Sequence, residues 1–349
     1  MANEFTYPTT VEMKEINAVL QPRLATNSPI FSHFPIVDVE SDMLRWEQRD
    51  DYTGMQQIRG INGQPGIVQA VGSKAYLYQP GYYGEKRPID EQEITRRAAL
   101  AQVSMKPISI DDLVLDANRF LVHRETVLME YILWTLVSTG TFSISKDSNV
   151  IHTDTYAIQT ASAAVDWDAV ATATPIADFR TVQALEEGKG VSFGAGATAY
   201  MNRTTFNKML ANTNSSDLAG KLSRIFTSGS AADQGDLSLI NKIMAGGDLP
   251  QIAIYNEGYK AAGTGTFTKF LATDKIVVIG QRQAGEPLGE YRRTINANND
   301  PVGPGSYSKV VDSAMAGNPN PVPRVINVER GHNGGPVIYY PSGVVVLSV

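Results

Sequence analysis

The sequence contains no cysteine. That excludes disulfides, thiolate nucleophiles and cysteine-based zinc or iron–sulfur sites together. It also lacks an excess of either charge: 30 Lys+Arg stand against 36 Asp+Glu, dispersed along the chain, for a net charge of -6. This balance argues against strong electrostatic capture of nucleic acid. No apolar run approaches the roughly 20 residues needed to span a bilayer, and residues 1–23 lack a charged start followed by an apolar core. The expectation is a soluble product made in the cytoplasm, with no membrane partner. Histidine is scarce, and His33, His123, His152 and His332 show no paired-ligand spacing, so local sequence offers no metal site. No internal repeat is visible.

What is present suffices for a sizeable core: 42% of 349 residues are hydrophobic, and the length suggests about two domains. The longest helical pattern runs from Asp111 to Gly140. Leu113, Ala117, Phe120, Leu121, Arg124, Val127, Leu128, Tyr131, Ile132, Thr135 and Leu136 recur at three- and four-residue steps, defining one face. Asp111 or Asp112 can cap the first turn, and Gly140 suits a left-handed exit. The half from Val127 to Val137 is mostly apolar and includes Trp134, which predicts a strut buried at its far end.

Before this helix, residues 10–20 form a short amphipathic helix with a thin stripe of Val11, Ile16, Val19 and Leu20. So short a helix must dock on its own body or on another subunit. From Ile36 to Tyr83 the runs IVDV, MLRW, GIVQAV and AYLY are β-prone and separated by turn residues, giving an extended two-stranded excursion. It is either an edge sheet on its own domain or a loop lying across a neighbour. EQEITRRAALAQV, from Glu91, reads as a helical turn or a return strand. After the long helix come a hairpin, residues 141–155, and a second helix from Pro175 to Gly188 whose buried face is Ile176, Phe179, Val182 and Leu185. Short helices and strands then alternate to Gly280. Residues 296–323, rich in Asn, Gly, Pro and Ser, read as surface loop. The end, GGPVIYYPSGVVVLSV, reads as a hairpin of buried strands turned at Pro341-Ser342-Gly343.

Two segments invite a chemical reading. Gly190-Val191-Ser192-Phe193-Gly194 matches the G-x-S-x-G nucleophile elbow, but a helix precedes it where a strand is required. GKGVSFGAGA also suggests a phosphate cradle, yet lacks the Gly-Lys-Ser/Thr ending. A plain glycine-rich turn is the better expectation for both. Asp111-Asp112 and Glu186-Glu187 are better explained by capping and solvated charge than by acid–base catalysis.

Several further segments, in this order, carry a family resemblance: Tyr78-Gln79-Pro80-Gly81-Tyr82 with Lys86 and Ile89, the long helix and its hairpin, Trp167 with Pro175-Ile176-Ala177-Asp178, Ile252-Ala253-Ile254-Tyr255-Asn256-Glu257-Gly258-Tyr259, and Lys275-Ile276-Val277-Val278-Ile279-Gly280. Together the chain resembles the lambda-like capsid protein E family of tailed-bacteriophage major capsid proteins. The resemblance implies an α+β, Hong Kong 97-like capsid fold: an N-terminal arm (1–35), an extended β loop (36–85), a peripheral domain (86–173 and 324–349) with a spine helix (111–139), and an axial domain (174–323) that includes the surface loop 296–323.

The function implied is a major head protein that self-assembles as pentamers and hexamers into the icosahedral shell around double-stranded DNA, in the virion, after assembly in the host cytoplasm. An encapsulin-type nanocompartment is the alternative of the same fold. No catalytic residue, cofactor or metal is expected. The implied partners are other copies, a portal protein, a separate scaffolding and/or decoration protein, and non-specific contact with packaged DNA. Inter-subunit contacts are expected at Val11, Ile16 and Leu20 of the arm. On the loop they are expected at Trp46, Ile58, Ile67, Lys74, Tyr78, Pro80 and Tyr82. Lys74 is the sole lysine between Ile36 and Gly84, but no partner asparagine for a cross-link is evident.

Overall fold

The computed structural model describes residues 13, 16–17, 20, 28–48, 55, 58–59, 61, 63–64, 74–96, 110–146, 149–214, 237–260, 265–282, 287–312 and 325–349. The chain forms two compact units from discontinuous segments. The first takes Met1–Arg45, Leu77–Leu133 and Glu290–Val337; the second takes Trp46–Tyr76, Trp134–Gly289 and Ile338–Val349. Residues 134–173, expected with the peripheral segment, therefore share a unit with 174–289. Residues 290–323, expected with the axial segment, fall in the first.

In the first unit a five-stranded sheet is built around the 13-residue strand Ile326–Ile338. Ser306–Asp312 pairs antiparallel to it, with Asp312 opposite Ile326. Gly81–Ile89 pairs along its other edge, from Ile89 opposite Ile326 to Gly81 opposite Gly334. Gly289–Arg293 also pairs with Ile326–Ile338, on the side away from Ser306–Asp312, with Ile36–Asp38 parallel beside it. Gly331 is required by proximity: a Cβ there would lie 2.2 Å from the Tyr83 carbonyl oxygen. Ser306–Asp312 corrects the loop reading of 296–323. Its polar Ser308 and Asp312 are buried, and a polar composition conceals a paired strand. Residues 91–96 are helical, which settles that alternative.

The long helix spans Ile110–Thr139, 30 residues or roughly 45 Å. Asp111 and Asp112 occupy its first turn, where the helix dipole favours negative charge. It ends as expected at Gly140, whose amide bonds the Leu136 carbonyl at 2.8 Å and whose φ is +68°. A Cβ at Gly140 would meet Tyr156 O and Ile158 at 2.9 Å, so conformation and space both demand glycine. Leu113, Val114, Ala117 and Leu121 pack with Ile89, Ile326, Val328 and Met13 in the first unit's core.

The buried face is rotated from the predicted one. Phe120 and Tyr131 are exposed, whereas Asn118, Glu125 and Glu130 are buried. Phe120 is stable outside because the Arg87 and Arg124 guanidiniums lie 5.0 and 5.7 Å from its ring centre. Arg124 in turn makes a two-pronged bond to Glu85 at 2.5 and 2.6 Å.

In the second unit the sheet order is Gln251–Ile254, Thr198–Met201, Lys275–Ile279, Val344–Ser348, Gln159–Ser162. Val344–Leu347 is buried throughout, as a central strand between two neighbours should be. The expected C-terminal hairpin is thus corrected. Ile326–Ile338 and Val344–Ser348 belong to different sheets, because the 3-10 turn Pro341–Gly343 redirects the chain instead of folding it back.

The helix Pro175–Ala184 buries Ile176, Phe179 and Val182, as its periodicity predicts. Its Asp178 accepts the Trp167 indole N–H at 2.9 Å and the Ala164 amide at 3.1 Å, which ties Trp167 to the Pro-Ile-Ala-Asp segment. Asn202 caps the helix Arg203–Ala211 by accepting from the Thr205 amide. Trp134 is fully buried, edge-on to Tyr200 with ring centres 5.3 Å apart and 5.0 Å from Tyr255.

Candidate assembly site

The glycine-rich stretch after Gly188 holds no nucleophile. Ser192 Oγ donates to the Glu186 carboxylate at 3.2 Å and accepts from the Gly194 amide, and neither contact is an imidazole. The loop's amides are already taken by the chain's own acids: Phe193 N–H donates to Glu186 at 2.8 Å and Ala195 N–H to Asp248 at 3.0 Å. Two carboxylates thus fill the place a phosphate would need. Glu186→Ala should strand the amide of the fully buried Phe193 and lower stability by about 2 kcal/mol. Ser192→Ala should cost less than about 1 kcal/mol and change no activity. Urea unfolding of the two variants checks this ordering.

The described histidines form no ligand set, and no group of His, Asp and Glu among the described residues could hold a metal ion. No described helix is long and apolar enough to cross a membrane.

Among the described residues, a buried cluster of charged and polar side chains lies in the first unit. Glu125 is bonded by Arg330 Nε at 2.5 Å and by Ser306 Oγ, and its Oε1 lies 2.9 Å from His332 Nδ1. His332 Nε2 in turn meets the Tyr291 hydroxyl at 2.9 Å. Burial opposes ionisation of Glu125, but the Arg330 charge, with His332 and Ser306, overcomes it and holds the carboxyl well below the usual range. Burial pushes the Tyr83 phenol up to about 12 and raises that of Tyr291 well above the ordinary phenol range, so both stay protonated. The cluster is enclosed, with Arg330 and His332 at 3% and 0% exposure, and no substrate can reach it. It stabilises structure. Periodicity could not reveal it, because Glu125 and Arg330 lie 205 residues apart. The available signal was Glu125 set at helical spacing from Leu121, Val122, Leu128 and Met129.

The predicted contact residues separate into two groups. Trp46, Tyr78 and Pro80 are buried within the chain. Trp46 stacks on Tyr76 with centres 5.1 Å apart and planes at 10°, beside Tyr156, and donates from its indole to Ile338 O at 3.1 Å. Tyr78 donates to Pro336 O at 2.8 Å. These residues secure the root of the loop, where Leu44–Gln48 pairs with Lys74–Tyr78. The exposed Lys74 places its ammonium 4.9 Å from the Tyr76 ring centre.

Ile58 and Tyr82 are exposed, at 101% and 65%. Ile16 and Leu20 are half-buried, while Val11 and Ile67 lie outside the described residues. Sequence reading missed Met55 and Ile61, which stand beside Ile58 at 95% and 98% exposure. Three large apolar side chains between the two root strands are thus wholly exposed to water.

Buried aromatics where Leu44–Gln48 pairs with Lys74–Tyr78, and apolar side chains exposed between those strands, mark this segment of the two-unit α+β chain as the candidate contact surface. A family model described as phage major capsid protein E matches residues 22–287, and the chain belongs to that family. It is a structural protein of the phage capsid and not an enzyme.

Solved structures agree in fold. A protein assigned as the capsid protein of an Escherichia coli CFT073 prophage has 15% identity and TM-score 0.57, covering 97% of this chain and 98% of that one. A phage-related protein of Bordetella bronchiseptica RB50 has 9% identity and TM-score 0.53, covering 95% and 96%. The capsid of a native GTA particle has 10% identity and TM-score 0.50, covering 93% and 90%. No curated protein matches.

Proposed function

We propose that subunits join through the loop bounded by Leu44–Gln48 and Lys74–Tyr78, whose apolar tip lies across a neighbouring copy. The observation that carries this is the near-complete exposure of Met55, Ile58 and Ile61 above a buried aromatic root. The exposed Ile58 and Tyr82 would make the contact, with Ile67 expected to join them; Trp46, Tyr78 and Pro80 act by holding the root. The finer Hong Kong 97 division into peripheral and axial parts, with rings of five and six copies, belongs to the same reading. So do a portal protein, a separate scaffolding and/or decoration protein, and non-specific contact with packaged DNA, to which a net charge of -6 offers little attraction.

Ile58→Asp combined with Ile61→Asp tests the loop contact. Each charge would have to be buried unpaired at the contact, so the variant should yield folded, unassembled subunits by sedimentation and negative-stain microscopy. Shells at the unmodified yield would overturn the proposal.

A further inference from the structure

We infer that the N-terminal arm is a strap in cis: each subunit's arm lies on its own long helix, clasped there by polar side chains, and stays there in the shell. Only the setting of the test rests on the loop proposal above, since that proposal concerns a different segment. Met13, Ile16, Asn17 and Leu20 are helical and share one face at three- and four-residue steps. Met13 is fully buried among Leu113, Val114, Ala117 and Leu121 of the long helix and Ile89, Ile326 and Val328 of the sheet.

Two hydrogen-bonded clasps flank this contact. Asn118 Nδ2 donates to Asn17 Oδ1 at 2.7 Å, and the Asn118 oxygen accepts from Ser308 at 3.0 Å, so the sheet aligns the very amide that holds the arm. Farther along, Ser28 donates to Glu130 at 2.5 Å. Asn118 and Glu130 lie roughly 18 Å apart on the helix. The chain from Asn17 to Ser28 spans at most about 40 Å when extended, so a single arm reaches both clasps. A methionine in an apolar groove tolerates slippage, whereas paired amides whose loss would leave buried polar atoms unsatisfied fix one register.

The absence of cysteine provides a clean background for the test. Asn17→Cys/Asn118→Cys subunits, treated with a short bis-maleimide, should link within one chain, both free and in shells, as read by mass spectrometry of the joined peptides. Shells co-assembled from Asn17→Cys subunits and Asn118→Cys subunits can link only between chains, and should give no linked dimer. Linked dimers in the mixed shells, or no linkage in the double variant, would overturn the inference.

Should the cysteine pair prevent folding, Asn17→Ala serves instead. Trypsin should then cut at Lys14 or Arg23 about tenfold faster, with cleavage of the body unchanged. An unchanged arm-cutting rate would count against the strap. Failure of the loop variant to block assembly would leave these results untouched.

Discussion

Glu125→Ala should destabilise the first unit by about 3–5 kcal/mol. The reason lies in what remains. Arg330 would keep its charge at 3% exposure with no acid beside it, and its Nη1 and Nη2 already lack hydrogen-bond partners. His332 and Ser306 would lose the same carboxylate. Because the ion pair is imperfectly satisfied even when intact, replacing both members by apolar groups of similar volume should be far milder. Glu125→Met with Arg330→Met should recover most of the loss, and a double-mutant cycle by urea unfolding would show it. Equal losses in the single and double variants would mean that Glu125 acts by packing alone.

The same carboxylate sets the acid sensitivity. Its pKa is depressed in the folded chain, so its contribution is fully present above the unfolded value of about 4.5 and is lost as pH falls below it. The stability of the unmodified protein should therefore drop as pH falls below about 4.5, and the Glu125→Met/Arg330→Met protein should drop less steeply. Tyr83 and Tyr291 add nothing to this slope, since burial keeps both phenols protonated throughout.

Local signals in the sequence were read correctly where the physics was local. Gly140 ended the long helix because only a residue free of Cβ suits φ +68° there. Pro175 opened the next helix, whose face of Ile176, Phe179 and Val182 followed its period. The family resemblance likewise rested on segments with internal reasons to persist, such as Trp167 and its acceptor Asp178.

What could not be read depended on partners far away in the chain. The long helix turned toward Asn118, Glu125 and Glu130 because Asn17, Arg330 and Ser28 satisfy them, and hydrophobic periodicity assigns polar residues outward. Phe120 left the core for the converse reason, having two guanidiniums for company. The C-terminal strands looked like a hairpin because a turn between two apolar runs does not say which sheet each will join. Within the loop, Trp46 and Tyr78 resembled interface residues only because aromatic side chains serve a root and a contact equally well.

Replacing residues 54–72 by a short Gly-Ser bridge should leave a folded subunit that forms no shells. The paired strands, the Trp46–Tyr76 stack and the indole bond to Ile338 all lie outside the deleted segment, so the root survives. Met55, Ile58 and Ile61 bury almost nothing in the subunit, so their removal costs its fold almost nothing. Changing the length of a surface loop shifts stability by less than about 1 kcal/mol. The entire effect then falls on assembly. Covering three such side chains at a neighbour contributes about 5 kcal/mol per contact, or roughly 10³–10⁴ in its association constant. A closed shell needs every such contact at once, so a loss of that size abolishes closure while thermal unfolding of the subunit barely moves. Sedimentation beside a melting curve separates the cases: unassembled subunits with an unchanged midpoint place the loop between copies, whereas normal shells would return it to its own chain.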